Sequence, residues 1–174
     1  KFRYKLNKNL ILTGMMAVGK SSIGKDLSNK LKMEFKDVDT IIESKLSLSI
    51  SEIFKLKGEK FFRDAEEEAT LNCLKNDNIV VALGGGAFIN EKIRNSLSRK
   101  CVSFWLDLNA KTIFQRINNN MKRPLLNSTN TENEVKELCN AREKFYTKAD
   151  YKIDCNSKNK NEIIKEILEI YENI

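Results

Sequence analysis

The stretch GMMAVGKSS (residues 14–22) follows directly on a short apolar run, NLILT (residues 9–13). A basic start, KFRYKLNKN, precedes that run, so a secretory signal is one reading. A signal would need a small-residue cleavage site next, whereas the chain continues into Gly19, Lys20, Ser21 and Ser22 and an amphipathic helical pattern. Gly14 and the Gly19-Lys20-Ser21 triplet fit G-x-x-x-x-G-K-[ST] in full, the pattern of a phosphate-binding loop between a strand and a helix. Glycines let backbone N–H groups approach an anion closely, and the helix N-terminus adds positive charge. Lys20 is placed to reach outer phosphates and the Ser21 hydroxyl to ligate magnesium. A plain glycine turn would account for Gly14 or Gly19 but not for the lysine and serine beside them.

The 174 residues suit one domain with a substantial core, and 41% hydrophobic content with one proline marks an ordered chain. No apolar run has the length of a transmembrane span. Cys73, Cys101, Cys139 and Cys155 form no CxxC pair, and the chain contains 0 histidines, which excludes common zinc and Ser-His or Cys-His chemistry. Reduced cysteines point to the cytoplasm. The net charge of +7 raises the question of nucleic acid. Basic and acidic residues are interleaved, however, without a basic arm or aromatic RNA-binding motif, so a solvated surface attractive to anionic small ligands is expected.

Apolar runs at 10–13, 79–83, 101–106 and 151–155 read as buried strands, with a further short one within 33–39. Helical patterns occupy 20–31, 59–75, 90–98, 110–117, 133–148 and 160–173, the last with Ile163, Ile167, Ile170 and Ile174 on one core-facing stripe. Alternating strand and helix predicts an α/β fold with a parallel sheet covered on both sides. The polar segment 118–133 holds the one proline, Pro124, next to Arg123, and reads as a lid that brings in a cation.

Magnesium needs a carboxylate besides Ser21. The run ending at Leu83 leads into Gly84, Gly85 and Gly86 rather than an acid, leaving Asp107 or the pair Asp37 and Asp39. The pair is favoured because, on an extended segment, positions i and i+2 share a face; alternatively the two cap the next helix. No Asn-Lys-x-Asp motif for guanine is present. In GEKFFRDAEEE, Arg63 and Glu66 lie on one helical face, three glycines in a row expose backbone to a ligand, and Arg142 offers a second clamp for a carboxylate.

Taken in order, GMMAVGKS, DVD, FFRDAEE, GGG, RPLL and REKFY resemble the shikimate kinase family over nearly the whole chain. The resemblance implies a three-layer α/β/α fold with a five-stranded parallel sheet of the nucleoside-monophosphate-kinase kind. It also implies a single domain over residues 1–174, with a substrate-binding helical region about 37–66 and a mobile lid about 118–131. The implied activity is transfer of the γ-phosphate of ATP to the 3-hydroxyl of shikimate, giving shikimate 3-phosphate and ADP, with Mg²⁺ as cofactor. ATP and shikimate would be its partners, with no nucleic acid or membrane, and it would act as a cytoplasmic monomer. Position by position, Gly14, Ala17, Val18, Gly19, Lys20, Ser21 and Ser22 would cradle the nucleotide, and Ser21 and Asp37 would hold the metal. Asp39 would hold the acceptor hydroxyl, Arg63 and Arg142 the carboxylate, and Gly84, Gly85 and Gly86 would line the same pocket, with Glu66 orienting its groups. Arg123 would meet the phosphates, Arg116 would help on the nucleotide side, and a loop near 154–158 would cover adenine. The nearest alternative is another small-molecule kinase, such as one acting on gluconate. Three departures stand out: Ala17 where the family often has glycine, tolerable if its φ is negative; Val38 between the aspartates; and Lys144-Phe145 before Tyr146.

Overall fold

A computed structural model describes residues 8–97, 99–119 and 131–174. The run after Lys8 forms β1 (Asn9–Thr13), buried at every position, as a β-branched and leucine-rich strand covered on both faces should be. It is the centre of a five-stranded, all-parallel sheet. The other strands are β2 (Glu34–Asp37), β3 (Ile79–Ala82), β4 (Cys101–Asp107) and β5 (Tyr151–Asp154). Their order across the sheet is β2-β3-β1-β4-β5. β3 is wholly buried and β4 nearly so, whereas β2 and β5 at the edges are partly open.

Helices connect the strands: α1 (Lys20–Leu31), α2 (Val38–Leu46), α3 (Ile50–Cys73), α4 (Glu91–Ser96), α5 (Ala110–Asn119), α6 (Glu132–Tyr146) and α7 (Lys160–Glu172). A 3₁₀ turn, Ala87–Ile89, follows the glycine triplet. The isoleucine stripe of α7 is core packing as expected: Ile163 and Ile167 are buried, and Ile170 and Ile174 pack against the same cluster.

Two helical features fall within the helical region about 37–66 that the resemblance implies but depart from the residue-by-residue reading. A helix starts at Val38, so Asp37 and Asp39 do not project together from an extended strand. Instead Asp37 caps α2, its Oδ1 accepting from the Thr40 N–H at 3.2 Å. The polar, serine-rich segment before Gly58 also proves helical. α3 starts at Ile50 behind a capping box in which Ser49 and Glu52 satisfy each other's backbone N–H groups. It runs to Cys73 across one non-helical residue, Gly58, at φ 85° and ψ 169°.

A methyl group at Gly58 would meet nothing within 4 Å. The requirement for glycine there is therefore one of backbone conformation, in a region open essentially to glycine alone. Gly58→Ala should lower stability by about 1–3 kcal/mol, read as a shift of the urea midpoint; an unchanged midpoint would show that the kink relaxes without cost.

Candidate active site

The carboxyl ends of β1, β2 and β3 open into one cleft of about 960 Å³, the position at which open parallel sheets bind ligands. At one end the loop after β1 turns back on itself through three residues of positive φ: Gly14 at 138°, Ala17 at 62° and Gly19 at 100°. At Gly14 a Cβ would also sit 2.7 Å from the Leu106 carbonyl oxygen on β4, so both conformation and space demand glycine. Ala17 does not meet the condition of negative φ under which its methyl would be tolerated without cost. It lies in the left-handed region, where a side chain costs roughly 1–2 kcal/mol relative to glycine, because the loop must curl its backbone inward. α1 begins directly behind the loop, and Gly19 provides no side-chain cap, leaving first-turn N–H groups available to an anion.

Lys20 is buried, and its Nζ donates to the carbonyls of Gly14 and Met15, both at 2.7 Å. Its ammonium thus stands over the start of the loop it serves. Arg116 reaches in from α5 and donates from Nη1 to the Ala17 carbonyl at 3.0 Å. The Ser21 hydroxyl donates to Asp37 Oδ2. This pairing puts a hydroxyl and a carboxylate oxygen side by side at the cleft, a donor set suited to a hard cation such as magnesium. Among the described residues no cluster of three or more acidic or cysteine ligands occurs.

At the other end, α3 carries Arg63 and Glu66 one turn apart, joined at 2.9 Å, with Glu59 3.6 Å from the Arg63 Nε. Glu66 is buried, and among the described residues its Oε2 has no hydrogen-bond donor. Burial pushes its carboxyl above the ordinary carboxylate range against the opposing pull of Arg63. The glycine triplet packs onto these charges: a Cβ at Gly84 would collide with Glu66 Oε2, and one at Gly86 would lie 2.7 Å from Arg63 Cζ. Absent side chains at both positions give the charged groups their room. Arg142, buried on α6, brings its Nη1 to 3.8 Å from the Met15 sulfur, while its Nε has no acceptor among the described residues. A buried guanidinium nitrogen and a buried carboxylate oxygen are thus each left without a hydrogen-bond partner among the described residues.

The cleft is lined by Ala17, Gly19, Lys20, Ser21, Ser22, Asp37, Asp39, Arg63, Glu66, Gly84, Gly85, Gly86, Arg116 and Arg142. Val18 is buried in the core beneath the loop, and Gly14 meets the site through its carbonyl. Arg123 lies outside the described residues, as does most of the expected lid. Sequence reasoning missed Glu43, Ser49, Ile50, Ser51, Phe54 and Phe62, which wall the acceptor end. The capping signal Ser49-x-x-Glu52 could have revealed the helix that carries the aromatic pair, whose rings lie 4.7 Å apart.

The shikimate kinase family model matches residues 16–172. A shikimate kinase of Thermodesulfovibrio yellowstonii is 38% identical over 167 residues, covering 96% of this chain and 96% of the relative. The solved shikimate kinase of Acinetobacter baumannii, in complex with shikimate, superposes with a TM-score of 0.89 at 30% identity, over 95% of this chain and 93% of that one. A gluconokinase of Sinorhizobium meliloti reaches a TM-score of 0.56 at 12% identity over 97% of this chain and 95% of that one, a likeness of fold alone.

The raised carboxyl of Glu66 has a pH signature. The native state holds this proton to higher pH than the unfolded chain, whose value is the ordinary 4.5. Stability from Glu66 is therefore fully present below 4.5 and is lost as pH rises through the raised value. Relative to Glu66→Gln, the wild type should lose ground in urea unfolding as pH is raised from 4.5; a difference that stays constant or grows would contradict burial as the dominant cause.

Proposed function

The chain belongs to the shikimate kinase family, and on that premise we propose that its cleft transfers the γ-phosphate of ATP to the 3-hydroxyl of shikimate, a step toward chorismate and the aromatic amino acids. The observation that carries this reading is the sharing of one cleft by Lys20 and Ser21 with Asp39, Arg63, Gly84–Gly86 and Arg142. A phosphate cradle and a pair of guanidinium groups suited to a carboxylate thus face each other across a carboxylate at the start of α2.

Phosphoryl transfer has a loose transition state, so positioning and charge neutralisation are the main tasks of the protein. Lys20 turns from its carbonyl partners toward the β- and γ-phosphates, which also meet the N–H groups at the start of α1. Magnesium, when bound by Ser21 and Asp37, supplies positive charge to the same oxygens. Arg63 and Arg142 hold the acid's carboxylate, and Glu66 orients the pocket by fixing Arg63. Asp39 aims the acceptor hydroxyl and takes its proton as the bond to phosphorus forms; with 0 histidines, a carboxylate is the residue type for that work. The four cysteines, all free in the structure, are in keeping with the cytoplasm. Among the described residues no helix is long and apolar enough to cross a membrane.

The decisive assay is ADP release from ATP and Mg²⁺ with shikimate, with gluconate and with neither. Release dependent on shikimate is expected; release with gluconate alone would replace the reading. Asp39→Asn should cut kcat by about 100-fold or more with ATP binding retained. Arg63→Ala should raise KM for the acid by about 10–100-fold, the worth of a charge-assisted contact, while KM for ATP stays within about twofold.

A further inference from the structure

The last residue of α6, Tyr146, carries a link that the proposed mechanism leaves unused. Its ring is 1% exposed and packs against Trp105 with centroids 5.8 Å apart, and its hydroxyl donates to the Gly85 carbonyl at 2.5 Å. That carbonyl shares a planar peptide unit with the Gly86 N–H. Anchoring the oxygen therefore fixes where the N–H points. Without an anchor, a peptide flanked by three glycines could rotate at small torsional cost.

Gly85 is also held from its other side. A Cβ there would lie 3.1 Å from Arg142 Nη1 and 3.3 Å from the Met16 backbone nitrogen. The residue thus fills the gap between the guanidinium at the acid end and the loop at the phosphate end. Arg142 and Tyr146 are one turn apart on α6, so the phenol sets the spacing between the helix that carries the guanidinium and the glycine backbone opposite it. Burial pushes the Tyr146 hydroxyl up to about 12.

We propose that Tyr146 is a positioning residue for the acid substrate: its hydroxyl locks the Gly85–Gly86 peptide and holds it in register with Arg142. This rests on the shikimate reading of the cleft, and shikimate-dependent ADP release by the wild type tests that reading separately. Tyr146→Phe keeps the ring and removes the lock. It should raise KM for shikimate about 3–10-fold, the worth of one neutral hydrogen bond, with kcat and KM for ATP within about twofold. Trp105→Phe is the control: it loosens the packing and keeps the hydroxyl, so it should lower Tm while leaving KM for shikimate within about twofold. Equal losses for both substrates in Tyr146→Phe, a lower Tm with unchanged kinetics, or the same KM rise in Trp105→Phe would each overturn the proposal. A second readout spares the fold should Tyr146→Phe not accumulate: in 3-fluorotyrosine-labelled wild type, the Tyr146 ¹⁹F resonance should shift with shikimate alone. A resonance unmoved at saturating shikimate would overturn it too.

Discussion

The site depends on the register of the parallel sheet. Ala82 on β3 pairs with Asp37 on β2 and with Leu12 on β1, so three chain segments far apart in sequence leave the sheet along one row. From that row the phosphate loop departs after Thr13, α2 begins after Asp37 and the glycine triplet follows Leu83. Side-chain direction alternates along a strand, so a slip of one residue would exchange side chains between the two covered faces and scatter these departures. The close packing of different side chains on those two faces is what opposes the slip. Core packing and site assembly are in this sense the same requirement.

At the acceptor end the constraint is electrostatic. Burying Glu66 is costly unless a cation accompanies it, and Arg63 supplies one a turn away on the same helix. The pair needs a wall without side chains, because Gly84 and Gly86 back directly onto Glu66 and Arg63. Three glycines in succession, which weaken a loop through backbone entropy, become intelligible once the two charges behind them are seen. One oxygen of the buried carboxylate is left without a hydrogen-bond donor among the described residues.

Much of this was legible in the sequence where a residue type has few other uses. The loop at 14–22 and the buried strands could be read directly, and Arg63 and Glu66 fell on one face because helical spacing is rigid. Strand β2 was located only loosely, since its four residues, EFKD, mix charged and apolar types and carry little periodicity. Helix α2 was placed only through the family resemblance, within a helical region about 37–66, because its aspartates invite a strand-end reading as readily as a capping one, and the capping role of Asp37 becomes visible only with Thr40 in place. The first turns of α3 fall in the same region but were not read from periodicity, because Gly58 interrupts the pattern without ending the helix. Ala17 shows the opposite limit: alanine says nothing about the sign of φ, and the left-handed turn is imposed by its neighbours.

The two oxygens of Asp37 have separate duties, one holding the Ser21 hydroxyl and the other closing the first turn of the helix that carries Asp39. Whatever draws electron density from the first oxygen weakens the second as an acceptor. A cation held at the first oxygen would therefore slacken the neighbouring helix cap, and a tighter cap would in return make that oxygen a poorer ligand. The two halves of the cleft would then communicate through a single carboxyl group, and by thermodynamic reciprocity neither could be tuned alone.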